Sequence, residues 1–463
     1  MTERTKLVTG GARALTGVLI TAAAAAGALL IGTLNFPTVE SEPRATQVDT
    51  MQTGARELVC AGAFAELGAD PSRPDVALPV GRTNVSVSGD GERKELGSSD
   101  TDSTSVGGAA VFTGTMSEPL AAAQIQQLDT ATLSGTVAGE CVEPVNEQWL
   151  LGGASMLGYS TTLSLGNPGS VAATVHISVF DENGKIDDQQ TSGVIVAPQS
   201  QQIISLNGYA PDSERFAVRV TSTGAPVGAS LSVSQIDGIN PVGAATVTRQ
   251  VRAETVSVVP GVANEAVGNH GDGDADSFPV RVQAIAPGEA AGTAEVFALS
   301  AEGERISLGG IELQPGTLSE LEVVTWPKSA NAVVVESEVP VFTAVGGSAN
   351  NDTAHDFDWF IPAPELSADT ELRAAIVPGG KLILTNSGSE PATVTISSDD
   401  DSAPRTVEVQ AGSAVPTDAK GSVTIESTAP VSAGVRVLSG GAIAGYPVIP
   451  SSEPDGELTI YTR

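Results

Sequence analysis

The chain has 463 residues, which is enough for about three or four domains. Its 51 glycines, 28 prolines and only 4% aromatic residues, beside 41% apolar residues, favour all-β modules with frequent turns over a helical protein. The formal net charge of −32 repels phosphate backbones, which argues against nucleic acid as a partner and indicates a soluble, acidic surface.

An uncharged apolar segment lies close to the N-terminus. Residues 14–34 contain no charged side chain and, as a helix, would span about 31 Å, the thickness of a bilayer core. Arg4, Lys6 and Arg13 precede it, so the positive-inside rule predicts a cytoplasmic stub at residues 1–13 and export of everything after the anchor. A cleaved signal peptide is the alternative, and it would make the protein secreted.

The next part of the chain is predicted to be a linker and then a small domain. Residues 35–56 are polar with Pro37 and Pro43, which is typical of a linker. Residues 57–148 form the least regular region, with alternating strand patterns at 84–88 and 133–137. We expect a β-rich domain there, with a short helix at residues 121–128.

The two cysteines, Cys60 and Cys141, flank this region. A disulfide between them is the favoured interpretation in an oxidising compartment. By lowering the entropy of the unfolded chain, it would stabilise the folded state by roughly 4.5 kcal/mol. Two unpaired buried thiols are the alternative. The three histidines are too scattered for a zinc site, and we expect no metal or other cofactor.

A short phrase occurs three times in the remainder of the chain, at residues 220–227, 335–341 and 425–431. Each copy follows an alternating β-branched run, contains Ser and then Pro, and opens another apolar run, so we interpret it as a closing hairpin. The copies begin 115 and 90 residues apart, the size of immunoglobulin-like sandwiches. We therefore predict an all-β protein with an N-terminal transmembrane helix and tandem immunoglobulin-like β-sandwich repeats at residues 149–255, 256–363 and 364–463.

Several segments also resemble a known family. Residues 141–153, 163–169 and 173–175, together with residues 60–62 and 259–261, resemble actinobacterial exported proteins described as large secreted or membrane-anchored proteins of unknown function. Leu150 departs from the aromatic residue expected after Trp149. The resemblance implies an actinobacterial cell-envelope setting and brings no catalytic residue.

Two clusters could carry chemistry. Residues 270–276 resemble the start of a calcium loop, but Ser277 and Gln283 stand where an EF-hand requires Gly and Glu, so a solvated acidic loop is the simpler interpretation. Phe357, Asp358 and Trp359 belong to the densest aromatic and acidic cluster and could bind a sugar. The alternative is a strand whose Phe357 and Trp359 pack inward.

No nucleophile elbow, phosphate-binding loop or dinucleotide fingerprint is present in the sequence, so we do not expect an enzyme. The sequence predicts a membrane-anchored, extracytoplasmic scaffold of the cell envelope whose partner is another envelope protein. A carbohydrate-binding β-sandwich array that recognises a cell-wall glycan is the alternative.

Overall fold

The computed structural model describes residues 23, 44–49, 55–68, 70, 72, 76–98, 107–186, 192–265, 278–351, 355–368, 370–399, 403–451 and 457–462. Apart from residue 23, the predicted anchor at residues 14–34 lies outside this set, and so does the acidic loop at residues 270–276. Within the described residues, no helix has the length and apolar character needed to cross a membrane.

The chain divides into two compact units, Met1–Thr50 with Asp455–Arg463, and Met51–Pro454. In the first unit, strand β1 (Arg44–Asp49) pairs antiparallel with β36 (Glu457–Thr462). Part of the predicted linker is therefore a strand.

The second unit is built from β-strands, which confirms the all-β class. Its N-terminal part has two three-stranded sheets, β2-β8-β6 and β10-β9-β5, and a short β3-β4 pair. The strands are β2 (Ala55–Cys60), β3 (Ala65–Leu67), β4 (Ala77–Pro79), β5 (Asn84–Ser88), β6 (Glu92–Glu95), β7 (Gly97–Ser98), β8 (Ala110–Thr115), β9 (Ala121–Asp129) and β10 (Ser134–Glu140).

The next stretch of chain forms two four-stranded sheets with short additions. Their strand orders are β11-β17-β13-β15 and β19-β18-β12-β16, with β14 added to β13 and β7 paired in parallel with β16. The strands are β11 (Glu147–Gly153), β12 (Tyr159–Asn167), β13 (Ala173–Asp181), β14 (Gly184–Lys185), β15 (Ser192–Val196), β16 (Ser200–Ser205), β17 (Phe216–Thr223), β18 (Gly228–Asp237) and β19 (Asn240–Val247).

The same strand order then occurs a second time. The sheets are β20-β26-β23-β24 and β27-β26-β22-β25, and one long strand, β26, belongs to both. The strands are β20 (Glu254–Pro260), β21 (Asn264–Glu265), β22 (Arg281–Ile285), β23 (Gly292–Ser300), β24 (Arg305–Leu313), β25 (Leu318–Glu322), β26 (Ala330–Asn350) and β27 (His355–Phe360).

A third copy of this order completes the second unit. Its sheets are β28-β33-β30-β31 and β35-β34-β29-β32, in the same sequence of connections. The strands are β28 (Leu372–Ile376), β29 (Gly380–Asn386), β30 (Ala392–Ser398), β31 (Arg405–Val409), β32 (Ser413–Asp418), β33 (Gly421–Ser427), β34 (Ser432–Ser439) and β35 (Ala442–Pro447).

The core of each copy lies between its two sheets and is lined by the alternating apolar residues of the strands. Val175, Ile177 and Val179 are all buried on one face of β13, as the period-two pattern predicts. Trp149 is also buried, and its ring stacks on that of Phe342 with the ring centroids 5.0 Å apart.

A buried asparagine performs the same task in the first and third copies. The Asn167 side-chain amide donates to the carbonyls of Val171, Val196 and Ala197, and its Oδ1 accepts from the Gly169 N–H. Asn386 makes three of the four corresponding contacts, donating to the carbonyls of Glu390 and Val409 and accepting from the Gly388 N–H. Each asparagine therefore fixes one turn and ties a neighbouring strand to it.

The prediction that the repeated phrase is a closing hairpin is wrong. In the first copy, β17 and β18 flank the phrase but belong to different sheets, so the chain crosses from one sheet to the other. In the second and third copies, the Ser hydroxyl of the phrase donates a hydrogen bond to the backbone carbonyl two residues later. Ser337 Oγ donates to the Val339 carbonyl at 2.7 Å, and Ser427 Oγ donates to the Ala429 carbonyl at 2.6 Å. Proline then removes a backbone donor at the point where one ladder ends.

The predicted helix at residues 121–128 is also wrong, because this segment is β9. Its Ala and Gln residues favour a helix locally, but β9 pairs on one side with β5 and on the other with β10. Tertiary pairing therefore overrides local propensity here.

The disulfide prediction is confirmed. Cys60, the last residue of β2, is bonded to Cys141, which directly follows β10, so the bond joins the two small N-terminal sheets. Both cysteines are buried in a small core with Leu58, Phe112 and Leu120.

We predict that Asn167→Ala and Asn386→Ala each lower the free energy of unfolding by about 2–4 kcal/mol, because each truncation leaves buried carbonyls without a donor. Urea denaturation followed by circular dichroism measures the loss. Asn183→Ala, in an exposed turn, is the control and should change stability by less than about 0.5 kcal/mol. Equal losses of unfolding free energy in all three variants would contradict a specific role for the two buried asparagines.

Candidate functional site

Strand β27 carries the predicted ligand-binding cluster, and its two faces differ in chemistry. Asp356 and Asp358 are 1% and 0% exposed, whereas Phe357 and Trp359 are half-buried on the opposite face. Successive side chains in a strand point to opposite faces, so the acidic and aromatic residues are directed at different surroundings.

The Asp356 carboxylate joins four strands from four parts of the chain. Its Oδ2 accepts from the N–H groups of Thr136 on β10, at 2.8 Å, and Ile443 on β35, at 3.1 Å. Its Oδ1 accepts from Ala244 on β19, at 3.2 Å, and from Phe357 on β27 itself, at 3.0 Å. One buried side chain thus links the N-terminal sheets with all three copies of the repeated arrangement.

The strands around Asp356 pack closely against one another. β19 packs on β27, β27 on β35, and β10 on both β19 and β35. Gly135 on β10 permits this approach, because a Cβ atom there would overlap Asp356 Oδ1 and its φ is +131°. The absence of a side chain at residue 135 is therefore a packing requirement.

Asp358 makes a second inward contact. Its Oδ2 accepts from the Gly445 N–H on β35 at 2.6 Å, while its buried Oδ1 has no hydrogen-bond partner among the residues that the structure describes. Burial raises the pKa of Asp358 well above 3.8, and the neighbouring Asp356 raises it further. Burial also raises the pKa of Asp356 to about 8, against the opposing effect of its four N–H donors.

The other face of β27 lines a cleft of about 450 Å³ between the first and second copies of the repeated arrangement. Aromatic residues of the cleft come from β12, from β27 and from the segment before β22. Polar residues come from β18, β22 and β25 and from the segment before β17. The lining residues include Tyr159, Glu214, Gln235, Asp237, Phe278, Arg281, Gln283, Glu320, Phe357 and Trp359. The cleft has the size and mixed composition of a site for a small organic ligand.

Polar groups on β22 and β25 form a connected wall of the cleft. Gln283 Nε2 donates to Glu320 Oε2 at 3.0 Å, and Glu320 also lies 3.3 Å from the Arg215 guanidinium and 3.6 Å from that of Arg281. Arg281 makes a further ion pair with Glu322 at 3.2 Å. Gln283 is 1% exposed, and within the described part of the chain its Oε1 has no hydrogen-bond partner.

The indole of Trp359 is held by two glycines. Its six-membered ring lies over Gly346, the residue opposite Trp359 on β26, and its five-membered ring lies against Gly152. A Cβ atom at Gly152, where φ is +112°, would come within 2.5–2.8 Å of the ring. Glycine at residue 152 is thus what allows Trp359 to occupy this place.

Two further aromatic residues border the cleft. Phe278 stacks on His355 with ring centroids 3.4 Å apart. Burial raises the pKa of the Tyr159 phenol above 10, so Tyr159 is a neutral hydroxyl group at physiological pH.

The predicted ligand-binding residues Phe357, Asp358 and Trp359 all border the cleft, but they contribute different groups to it. The aromatic side chains are on the cleft face of β27, whereas the Asp358 carboxyl group is on the opposite face and accepts a hydrogen bond from β35. The polar groups that line the cleft include Gln283 and Glu320, which sequence reasoning missed. The alternation of polar and apolar residues from Val280 to Ile285 was the available signal, since it places Arg281 and Gln283 on one face.

Aromatic rings beside hydrogen-bonding groups allow this cleft to stack on a flat ligand and bind its polar edge. Among the described residues, no group of three or more His, Cys, Asp or Glu side chains is placed to hold a metal ion.

The chain matches the model of a family of unknown function, DUF5719, over residues 100–420, and it therefore belongs to that family. This match covers the cleft, the disulfide residue Cys141 and the strand that carries Asp356. No curated protein matches the chain.

We predict that stability falls as the pH rises from about 4 to about 8. Folded Asp356 keeps its proton to about pH 8, whereas the unfolded side chain loses it near 3.8, so the folded state binds more protons between these values. One such group gives a slope of at most about 1.4 kcal/mol per pH unit. Urea midpoints measured across this range test the prediction.

Asp356→Asn should reduce this slope, and exposed Asp212→Asn is the matched control that should leave it unchanged. Asp358 and Glu140 also have pKa values raised by burial, so part of the slope should remain in Asp356→Asn. A wild-type stability that rises over the same range would mean that the four N–H donors outweigh burial and keep Asp356 ionised.

Proposed function

We propose that this DUF5719 protein is a membrane-anchored, extracytoplasmic interaction protein of the cell envelope and that it is not an enzyme. The observation that carries the proposal is a two-sheet arrangement, with four strand positions in each sheet, that occurs three times and is tied together at Asp356. In the second copy the long strand β26 fills one position in each sheet. We interpret each copy as an immunoglobulin-like sandwich, an architecture that holds surface loops in fixed positions for binding.

The disulfide supports an extracytoplasmic location. Disulfides such as Cys60–Cys141 persist in oxidising compartments and are rare in the cytosol. The uncharged segment at residues 14–34 supplies the proposed anchor, with the N-terminus cytoplasmic. Cleavage after this segment would instead release the same extracytoplasmic body as a secreted protein.

The resemblance to actinobacterial exported proteins supports an envelope setting for this body. Its surface is strongly acidic, with a formal charge of −32 for the whole chain, which favours protein or neutral partners over nucleic acid.

Two exposed apolar side chains mark a candidate contact surface. Leu157 and Ile239 are 96% and 86% exposed, and they lie in turns joined by the hydrogen bond from the Ile236 N–H to the Gly158 carbonyl, at 2.8 Å. Exposed apolar groups beside a cleft are typical of interaction surfaces.

Cross-linking in intact cells, followed by capture of the full chain and mass spectrometry, tests the scaffold proposal. We expect one stoichiometric envelope protein, and we expect the double variant Leu157→Ser/Ile239→Ser to recover at least tenfold less of it. The exposed double variant Val171→Ser/Ile195→Ser is the matched control. Recovery of no envelope component with the wild type would contradict the proposal.

Glycan binding is a second candidate function, favoured by one specific observation. Phe357 and Trp359 lie together on the wall of the cleft, beside the hydrogen-bonding side chains of Gln283 and Glu320. Aromatic faces stack on the apolar faces of sugars while neighbouring polar groups bind hydroxyls. We place this function in one cleft, because β19 and β35, the counterparts of β27, have no tryptophan.

Sedimentation of the full chain with insoluble cell-wall polymer tests the second candidate. We predict that Trp359→Ala lowers the bound fraction at least tenfold, because stacking surface is lost from the cleft. Trp326→Ala, a half-buried tryptophan that does not line the cleft, is the control and should bind like the wild type. Thermal unfolding of both variants checks that they are folded, and equal binding by both would exclude this site.

A further inference from the structure

We propose that the ligand of the cleft is an uncharged, hydroxyl-rich sugar unit, and that the cleft selects against anionic glycans. This inference rests on the second candidate function, glycan binding, and adds the chemical class of the ligand.

The charges around the cleft disfavour an anion. Arg281 is the cation among the described lining residues, and it already contacts Glu320 at 3.6 Å and Glu322 at 3.2 Å. Glu214 and Asp237 are exposed carboxylates at the rim. A uronate or a phosphorylated sugar would therefore approach through negative potential and would find no unpaired lining cation.

The deep part of the cleft carries little net charge, which disfavours a cation as well. Glu320 and Asp358 are the lining residues there with carboxyl groups. The Asp358 carboxyl group is on the far face of β27, where it accepts from the Gly445 N–H. The guanidinium groups of Arg215 and Arg281 both neutralise Glu320. The adjacent Gln283 is a neutral amide. The opposite charges in this part of the cleft already balance one another. A cationic ligand would therefore lose its hydration without gaining an unpaired anion, and its binding would cost free energy.

The wall formed by β22 and β25 offers an unused hydrogen-bond acceptor. Gln283 donates through Nε2 to Glu320, and its buried Oε1 receives no hydrogen bond from any described residue. A buried acceptor without a partner costs free energy, and a ligand donor that reaches it after a small side-chain adjustment would recover that cost. Sugar hydroxyls are neutral donors, and the C–H face of the same ring can lie on Phe357 and Trp359.

Isothermal titration of the full chain with defined hexasaccharides tests the inference. The probes are cellohexaose, maltohexaose and chitohexaose, which are neutral, and hexagalacturonate, which is anionic. We expect at least one neutral probe to bind at least tenfold more tightly than hexagalacturonate, with an affinity that is the same at low and high NaCl.

Gln283→Leu should weaken binding of that neutral probe about tenfold, which corresponds to about 1.4 kcal/mol for the lost acceptor. Gln314→Leu, at an exposed position outside the cleft, is the matched control and should bind like the wild type. Phe357→Leu keeps an apolar side chain and tests the stacking wall separately if Gln283→Leu fails to fold; it should weaken binding at least fivefold.

Each contrary outcome has a distinct meaning. Tighter binding of hexagalacturonate, or neutral-probe binding that is lost at high NaCl, would overturn the inference while leaving glycan binding in place. Equal affinities for the Gln283→Leu, Phe357→Leu and Gln314→Leu variants would place the site elsewhere. Binding of none of the four probes would overturn the inference. Glycan binding itself would be excluded if the chain also failed to sediment with cell-wall polymer.

Discussion

The second unit depends on one buried carboxylate that accepts four backbone hydrogen bonds. Asp356 takes N–H groups from β10, β19, β27 and β35, so the N-terminal sheets and the three repeated arrangements share a single acceptor. Each oxygen of this buried carboxyl group has two N–H donors, which offsets the free-energy cost of removing the group from water, and all four strands must be in place to supply them. This requirement makes the packing of the four parts mutually dependent and gives the contact a specific geometry, which apolar packing alone does not supply.

The same strand that provides this contact also provides the cleft. Side chains alternate across β27, so the aspartates that point to the other strands leave Phe357 and Trp359 on the opposite face. The closeness that Asp356 enforces between β19 and β27 brings the first and second repeated arrangements together, and the cleft lies between them. The buried acidic contact and the aromatic wall of the cleft thus come from the two faces of one strand.

Much of the fold could be predicted from the sequence because period-two patterns report burial directly. The strand at Asn84 and the Cys60–Cys141 bond agree with the sequence-based expectations. The alternating residues of β13 are buried on one face in the same way. The repeated phrase was identified correctly as a recurring element, but its hairpin geometry was wrong. A hairpin and a crossing between two sheets use the same turn residues and differ only in which strands pair. The local sequence does not encode that pairing.

The sequence by itself determined the all-β class, the three-fold recurrence of one strand pattern, the acidic surface and the clustering of aromatic and acidic residues on β27. These are properties of composition and alternation, which act over a few residues. Only the tertiary structure decided that Asp356 and Asp358 point inward, and that Gln283 and Glu320 are the polar neighbours of Trp359. Those outcomes depend on which distant strands supply N–H donors and close approach, and that information arises only when the sheets pack together.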